Sequence, residues 1–273
     1  TAEVRKLVAT GVDELAAADF LKGGDPAVNI VKTLTVKYTL GGQPQTASAV
    51  EGEALKLAEP VALAADHLKL SRQADGAIQL QTFVPGKYEV TLASGKKLMT
   101  TVANLPGPQP VEGEWQLSFP PKLGAPATVK FDHLMSWPES ADEGVIYFSG
   151  TATYRKTVEI PAADFGSGKR IILDLGTVKN LAAVSVNGKL LGTLWKEPFH
   201  VDITEVAKPG GNELEIQVVN LWPNRLIGDQ KLPESQRITW ASVAPYKAGD
   251  SLLPSGLLGP VRIAVAQRLT LEQ

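Results

Sequence analysis

From residue 30 to the end the chain runs in short stretches where apolar and polar residues alternate, each stopped by Gly, Pro, Asn or Asp. In "KTLTVKYTL" the residues Leu34, Val36 and Tyr38 fall on one side, with Thr and Lys on the other. A period of two sends successive side chains to opposite faces, so this run predicts an antiparallel strand buried on one face. Similar runs follow: "KYEVTLASG", "EWQLSF", "ATVKFD", "VIYFSGTATYRKTVEI", "RIILDLG", "AAVSVNGKLLGTLW", "NELEIQVVN" and "PVRIAVAQRLTLE". Strands spaced by turn signals, with no helices between them, predict an all-β fold of the sandwich or barrel kind. One helix is predicted, over residues 12–21, where Val12, Leu15, Ala16 and Phe20 share a face.

Two turns follow from local chemistry. Asn187-Gly188 stands between two alternating runs, and both residue types tolerate the positive φ that a two-residue hairpin needs. "PGKYEVTLASGKK" predicts a second hairpin, with Pro85-Gly86 before one strand and Ser94-Gly95 after it. Residues 103–115, "ANLPGPQPVEGEW", crowd three prolines and two glycines together, which is linker composition. A boundary is therefore expected near residue 108: a β-rich sandwich module over 1–108 and a second sandwich domain over 109–273.

Composition narrows the function. Hydrophobic residues make up 44% and charged residues 21%, which is globular. A formal net charge of −2 gives no cause to expect nucleic acid or an anionic membrane as partner. No apolar run approaches the roughly 18 residues that span a bilayer. The chain has no Cys, so neither disulfide nor thiolate chemistry is available to it. The opening "TAEVRKLVAT" reads as an internal or processed beginning.

Catalytic motifs are absent from the wording: no Gly-rich phosphate loop, no Gly-x-Ser-x-Gly elbow, no His-Glu-x-x-His pair. His67, His133 and His200 share no ligand spacing, so no metal site is expected from them. Paired carboxylates would serve glycoside hydrolysis, and the candidates are Glu139, Asp142 and Glu143, and Asp229 with Glu234; a solvated loop explains the first cluster more cheaply. Asp202, Glu205 and Glu213 could contribute to a structural calcium site but form no dense acidic loop.

The chemistry best suited to this chain is sugar recognition, in which an aromatic ring stacks on the C–H face and polar neighbours take the hydroxyls. All five Trp residues lie at or after position 115. Trp115 and Trp195 sit in alternating strands and are expected in the core, whereas Trp137, Trp222 and Trp240 lie in polar, Pro-containing stretches that suit a surface. The segment "NLWPNRLIGDQ" follows a strand and concentrates such groups. The candidate carbohydrate-binding residues are Trp222, Asn224, Arg225, Asp229, Arg237 and Trp240, with an Arg-Asp structural clamp as the competing role for the central ones.

"LDLGTVKNLAAVSVNGKLLGTLW", "PFHVDITEVAKPGGNELEIQVVN" and "LLPSGLLGPVRI" together resemble the galactose-binding-like jelly roll found as the sugar-binding domain of family 2 glycoside hydrolases. The fuller wording, with "YFSGTATYRK", "NLWPNRLIGD", "RITW" and "PSGLLGPV", is similar to the C-terminal region of glycoside hydrolase family 106, the α-L-rhamnosidases. The resemblance is dense from about residue 110 to 263. It implies a periplasmic or secreted parent acting on rhamnose-containing glycans, with its catalytic residues and calcium in a separate (β/α)₈ barrel. No alternating strand–helix pattern of that kind is written here. The resemblance thus implies an accessory or carbohydrate-binding fragment without catalytic residues of its own, or a structural module that packs on the barrel.

Overall fold

The computed structural model describes residues 14–16, 33–40, 43–50, 54–56, 68–243 and 245–271. The fold is all-β, and the chain divides into two compact units, 1–65 and 66–273. In the first unit β1 (Glu14–Ala16) pairs with β4 (Ala54–Lys56), and β2 (Thr33–Leu40) pairs with β3 (Gln43–Val50), both antiparallel. Val36 is buried while Thr35 is exposed, as the alternation predicts. Where a helix is expected over 12–21, the described residues 14–16 form a strand instead. There Leu15 stands opposite Leu55 in an antiparallel pair rather than in a helical turn. The rest of that segment, and His67, lie outside the described residues.

The second unit begins with β5 (Leu68–Arg72), β6 (Ile78–Thr82), β7 (Gly86–Thr91), β8 (Lys97–Val102) and β9 (Gln109–Pro110). The strands β10 (Trp115–Ser118), β11 (Thr128–Phe131), β12 (Thr151–Ile160), β13 (Lys169–Asp174), β14 (Thr177–Lys179) and β15 (Leu181–Val186) follow. The unit closes with β16 (Lys189–Leu194), β17 (His200–Asp202), β18 (Gly210–Val219), β19 (Gly256–Gly259) and β20 (Arg262–Leu271). One sheet runs β11-β10-β12-β18-β15-β16, and a second runs β17-β13-β20-β6-β5 with β9 also on β20. Trp115, Leu117, Tyr154, Val184, Ile216 and Val218 from the first sheet meet Ile171, Leu173 and Ile263 from the second in one core. β14 and β19 pair beside them.

The predicted hairpins form. Asn187 and Gly188 both take positive φ, 50° and 78°, in a two-residue loop that places Val186 opposite Lys189. β7 and β8 pair across the turn at Gly95, whose amide bonds to the Leu92 carbonyl. The Pro- and Gly-rich stretch expected to end a domain near residue 108 lies inside the second unit, because β20 reaches back across it. On one side β20 pairs with β13; on the other, Arg262 and Ile263 take β9, and Gln267–Leu271 take β6. Leu80, Leu98 and Leu271 then share a small core of their own.

"VIYFSGTATYRKTVEI" is not one strand. Its first residues belong to α1 (Glu143–Ile146), because Asp142 caps the turn by accepting a hydrogen bond from the Val145 amide at 3.2 Å. The strand β12 starts only at Thr151.

Candidate functional site

The chain leaves β18 at Asn220 and turns at once into α2 (Pro223–Asp229). Pro223 suits the first helical turn, where its missing N–H costs nothing. Asn220 fastens the strand end: its Oδ1 accepts from the Gly150 amide at 3.0 Å and its Nδ2 donates to the Phe148 carbonyl at 2.9 Å. Asn224 does the same for the loop before β19. Its Nδ2 donates to the Leu253 carbonyl at 2.7 Å and to Ser255 Oγ at 3.0 Å, while its Oδ1 accepts from the Leu253 amide at 2.8 Å. Both asparagines are buried, so each bond replaces water that the site excludes.

Arg225 and Asp229 are one helical turn apart and both buried, with Arg225 Nη2 at 2.9 Å from Asp229 Oδ1. Asp229 Oδ1 also accepts from the Ile238 amide at 3.2 Å, and its Oδ2 accepts from the Thr239 amide and hydroxyl. Each carboxylate oxygen thus accepts two bonds, which uses its lone pairs. Burial pushes the Asp229 carboxyl up, but Thr239, Ile238 and Arg225 outweigh it and hold the group below the usual carboxylate range. Arg225 lies over the Tyr147 ring, its guanidinium carbon 5.9 Å from the centroid, and its Nε is buried without a hydrogen-bond partner. Lys231 donates to the Tyr147 hydroxyl from the other side.

This packing needs glycine. A Cβ on Gly228 would stand 2.6 Å from the Tyr147 ring, and one on Gly144 would stand 2.2 Å from the Gly124 carbonyl oxygen. The helix therefore lies against Tyr147, while α1 lies against the 124 loop.

The six predicted residues are not brought into one site. Asn224 and Arg225 are buried among protein partners. Arg237 and Trp240 line an open cavity of about 370 Å³, together with Glu234, Tyr246, Ile238 and Val243; Asp229 lies at its wall. Trp222 is 68% exposed and lies outside that lining. Trp240 is 83% exposed. Tyr246 escaped notice in the sequence; Glu234, considered there only as a carboxylate to pair with Asp229, stands three residues before Arg237 and so faces the same turn.

The other tryptophans divide differently from the expectation. Trp115 is buried as expected. Trp137 is fully buried, because its Nε1 finds the Tyr154 hydroxyl at 2.6 Å and its ring meets Phe119 and Phe148 edge-on. Trp195 is 69% exposed, since it stands just past β16 on the solvent side of an edge strand.

Of the carboxylates considered for catalysis or calcium, Asp142, Asp202 and Glu205 have local partners. Asp142 is the cap of α1, and Glu139 and Glu143 are exposed beside it. Asp202 accepts from Thr204 and faces Arg268 at 3.5 Å, Glu205 faces Arg170 at 3.4 Å, and Glu213 is exposed on β18. Among the described residues no three His, Asp or Glu side chains converge. His133 lines a second, largely apolar cavity of about 430 Å³ with Leu134, Pro260 and Val261; His200 is half-buried on β17.

Comparison with known proteins agrees with this architecture. Residues 142–248 match the family model described as the glycosyl hydrolase 2 galactose-binding domain-like domain. A Formosa agariphila protein provisionally named a beta-glucuronidase is 36% identical over 288 residues, covering 97% of this chain and 24% of its own length. The structure of a rhamnosidase from Novosphingobium sp. PP1Y superposes with a TM-score of 0.56 at 30% identity, over 88% of this chain and 24% of that one. The chain therefore spans about a quarter of the length of either relative, and within it residues 142–248 are similar to a galactose-binding-like domain of glycoside hydrolases.

Proposed function

We propose that this chain is a non-catalytic β-region of a glycoside hydrolase of family 106, α-L-rhamnosidase-like, and that it binds rhamnose-containing glycans for a periplasmic or secreted parent. The observation that carries the reading is the cavity beside α2. It combines an exposed indole, Trp240, with Tyr246, Arg237 and Glu234, over an apolar wall of Ile238 and Val243. Such a cavity offers a ring face to stack on and donors and acceptors for hydroxyls. Arg237 and Trp240 are the ligand contacts in this reading, and Trp222 an outlying one. Asn224, Arg225 and Asp229 hold the wall, since all three are buried and bonded to protein partners. The similarity to a rhamnosidase supports the choice of sugar.

Calorimetric titration of the chain with rhamnose-containing oligosaccharides tests this. Heat that disappears in Trp240→Ala, at unchanged melting temperature, is the expected result. No heat at millimolar sugar would remove the reading.

A second reading is a structural module that packs on the parent's catalytic barrel without touching sugar. The burial of Asn224, Arg225 and Asp229 favours it, as does the exposure of Val243 and Leu253 near the same loop. It expects silence in the same titration.

A further inference from the structure

The face of the six-stranded sheet that points away from the core is ordered by charge. One cross-strand row runs Thr193–Ala183–Gln217–Thr153–Ser118–Thr128, with each neighbour paired by register. It crosses six strands and contains no charged residue. These residues alternate with the buried Ala182, Val184, Ala152, Tyr154, Ile216, Val218 and Leu117, which fixes them on the outer side. On one flank stands a charged row, where Arg155 and Glu215 pair at 2.8 Å. On the other flank Leu181 opposes Val219, which opposes Thr151, and Trp195 follows Leu194, whose partner is Ala182. Trp195 stands just past the end of β16 with its indole mostly in water, and the Lys196 Nζ lies 5.7 Å from its ring centroid.

We propose that this face is a second carbohydrate surface, which takes a linear neutral glycan laid across the strands with Trp195 as its stacking platform. Strands repeat every ~4.8 Å, close to the length of one sugar unit, so successive units would meet successive strands. The apolar ring face of one unit would lie on Trp195 and its neighbour over Leu181 and Ala183. The Thr193, Gln217 and Thr153 side chains would meet the hydroxyls. Two of the polar groups are already oriented: Gln217 donates to Glu215 at 3.2 Å, and Ser118 accepts from Arg155 at 3.1 Å. Ala183, Thr and Ser are short, which leaves a shallow track rather than the protruding side chains of a protein-docking face. The absence of charge along the row favours a neutral glycan over a uronate or sulfated one. This surface is separate from the cavity at Trp240 and does not depend on it.

The test titrates the 273-residue chain with linear neutral hexasaccharides in gluco, manno, xylo and rhamno configuration, and separately with free rhamnose. Trp195→Ala is expected to weaken hexasaccharide binding by about tenfold, the loss of roughly 1.4 kcal/mol, with melting temperature unchanged. Gln217→Glu, which puts a charge in mid-row, is expected to weaken it as well. If Trp195→Ala binds every hexasaccharide as the parent chain does, the inference falls, while heat from rhamnose that is lost in Trp240→Ala leaves the cavity reading standing. If no hexasaccharide gives heat, or if Trp195→Ala alters only self-association in sedimentation, the inference is overturned.

Discussion

Removing the Arg225 side chain would leave Asp229 as a buried carboxylate whose cationic partner is gone. Breaking such a pair costs about 3–5 kcal/mol, far more than the pair is worth against an apolar replacement. Arg225→Ala should therefore lower stability by about that amount in urea unfolding, and an effect under about 1 kcal/mol would show the pair to be solvated. The pH dependence follows from the carboxyl's direction of shift. Asp229 titrates lower in the folded chain than in the unfolded one, so its contribution is full above the unfolded value of about 3.9 and is lost as pH falls through the folded value. Asp229→Asn should make the acid side of the stability profile shallower and leave its alkaline side alone. At this scale the sequence was a partial guide. It marked residues 220–230 as polar and aromatic, but burial depends on neighbours 70 or more positions away, such as Phe148 and Gly150 for Asn220. Trp137 and Trp195 exchanged their expected roles for the same reason. A polar, Pro-containing neighbourhood does not reveal that Tyr154 waits for an indole N–H, and an alternating strand does not reveal that it is an edge.

Elements were legible where one local rule governed them. The Asn187-Gly188 turn and the alternating strands needed only backbone conformation and a period of two, and both formed. Helices were less legible. α1 depends on a cap three residues before Val145, and α2 on the space that Gly228 leaves for Tyr147; the strand at 14–16 depends on a partner forty residues away. These contacts predict an order of damage. Gly228→Ala pushes a methyl into the Tyr147 ring and the Arg225 guanidinium and should cost about 1–3 kcal/mol, as overpacking does. Gly144→Ala meets a backbone carbonyl that cannot rotate away and should cost more. Gly188→Ala, in open space but at positive φ, should cost only about 1 kcal/mol. Melting curves of the three variants check the ranking, and a Gly188 variant worse than the Gly144 one would refute it.

For the whole molecule, β20 is the strand that joins β17 and β13 to β6 and β5 in one sheet. Its first half closes the jelly-roll sheet against β13, and its second half holds β6. The Pro- and Gly-rich stretch near residue 108 misled because linker composition marks where the chain bends, not where its contacts end. Ending the chain after Ala266 should therefore expose the amides of β5 and β6 to rapid hydrogen exchange while β12 and β18 stay protected. Equal protection throughout would mean that residues 68–102 stand without β20.

That strand also has a consequence for how the protein is made. A ribosome releases Leu80 long before Leu269, yet the two face each other in the finished sheet. Residues 68–82 must stay unpaired on that side while nearly two hundred further residues are added. Folding of this unit during synthesis is therefore held open until its last strand emerges, and its early strands are the part a chaperone would need to guard.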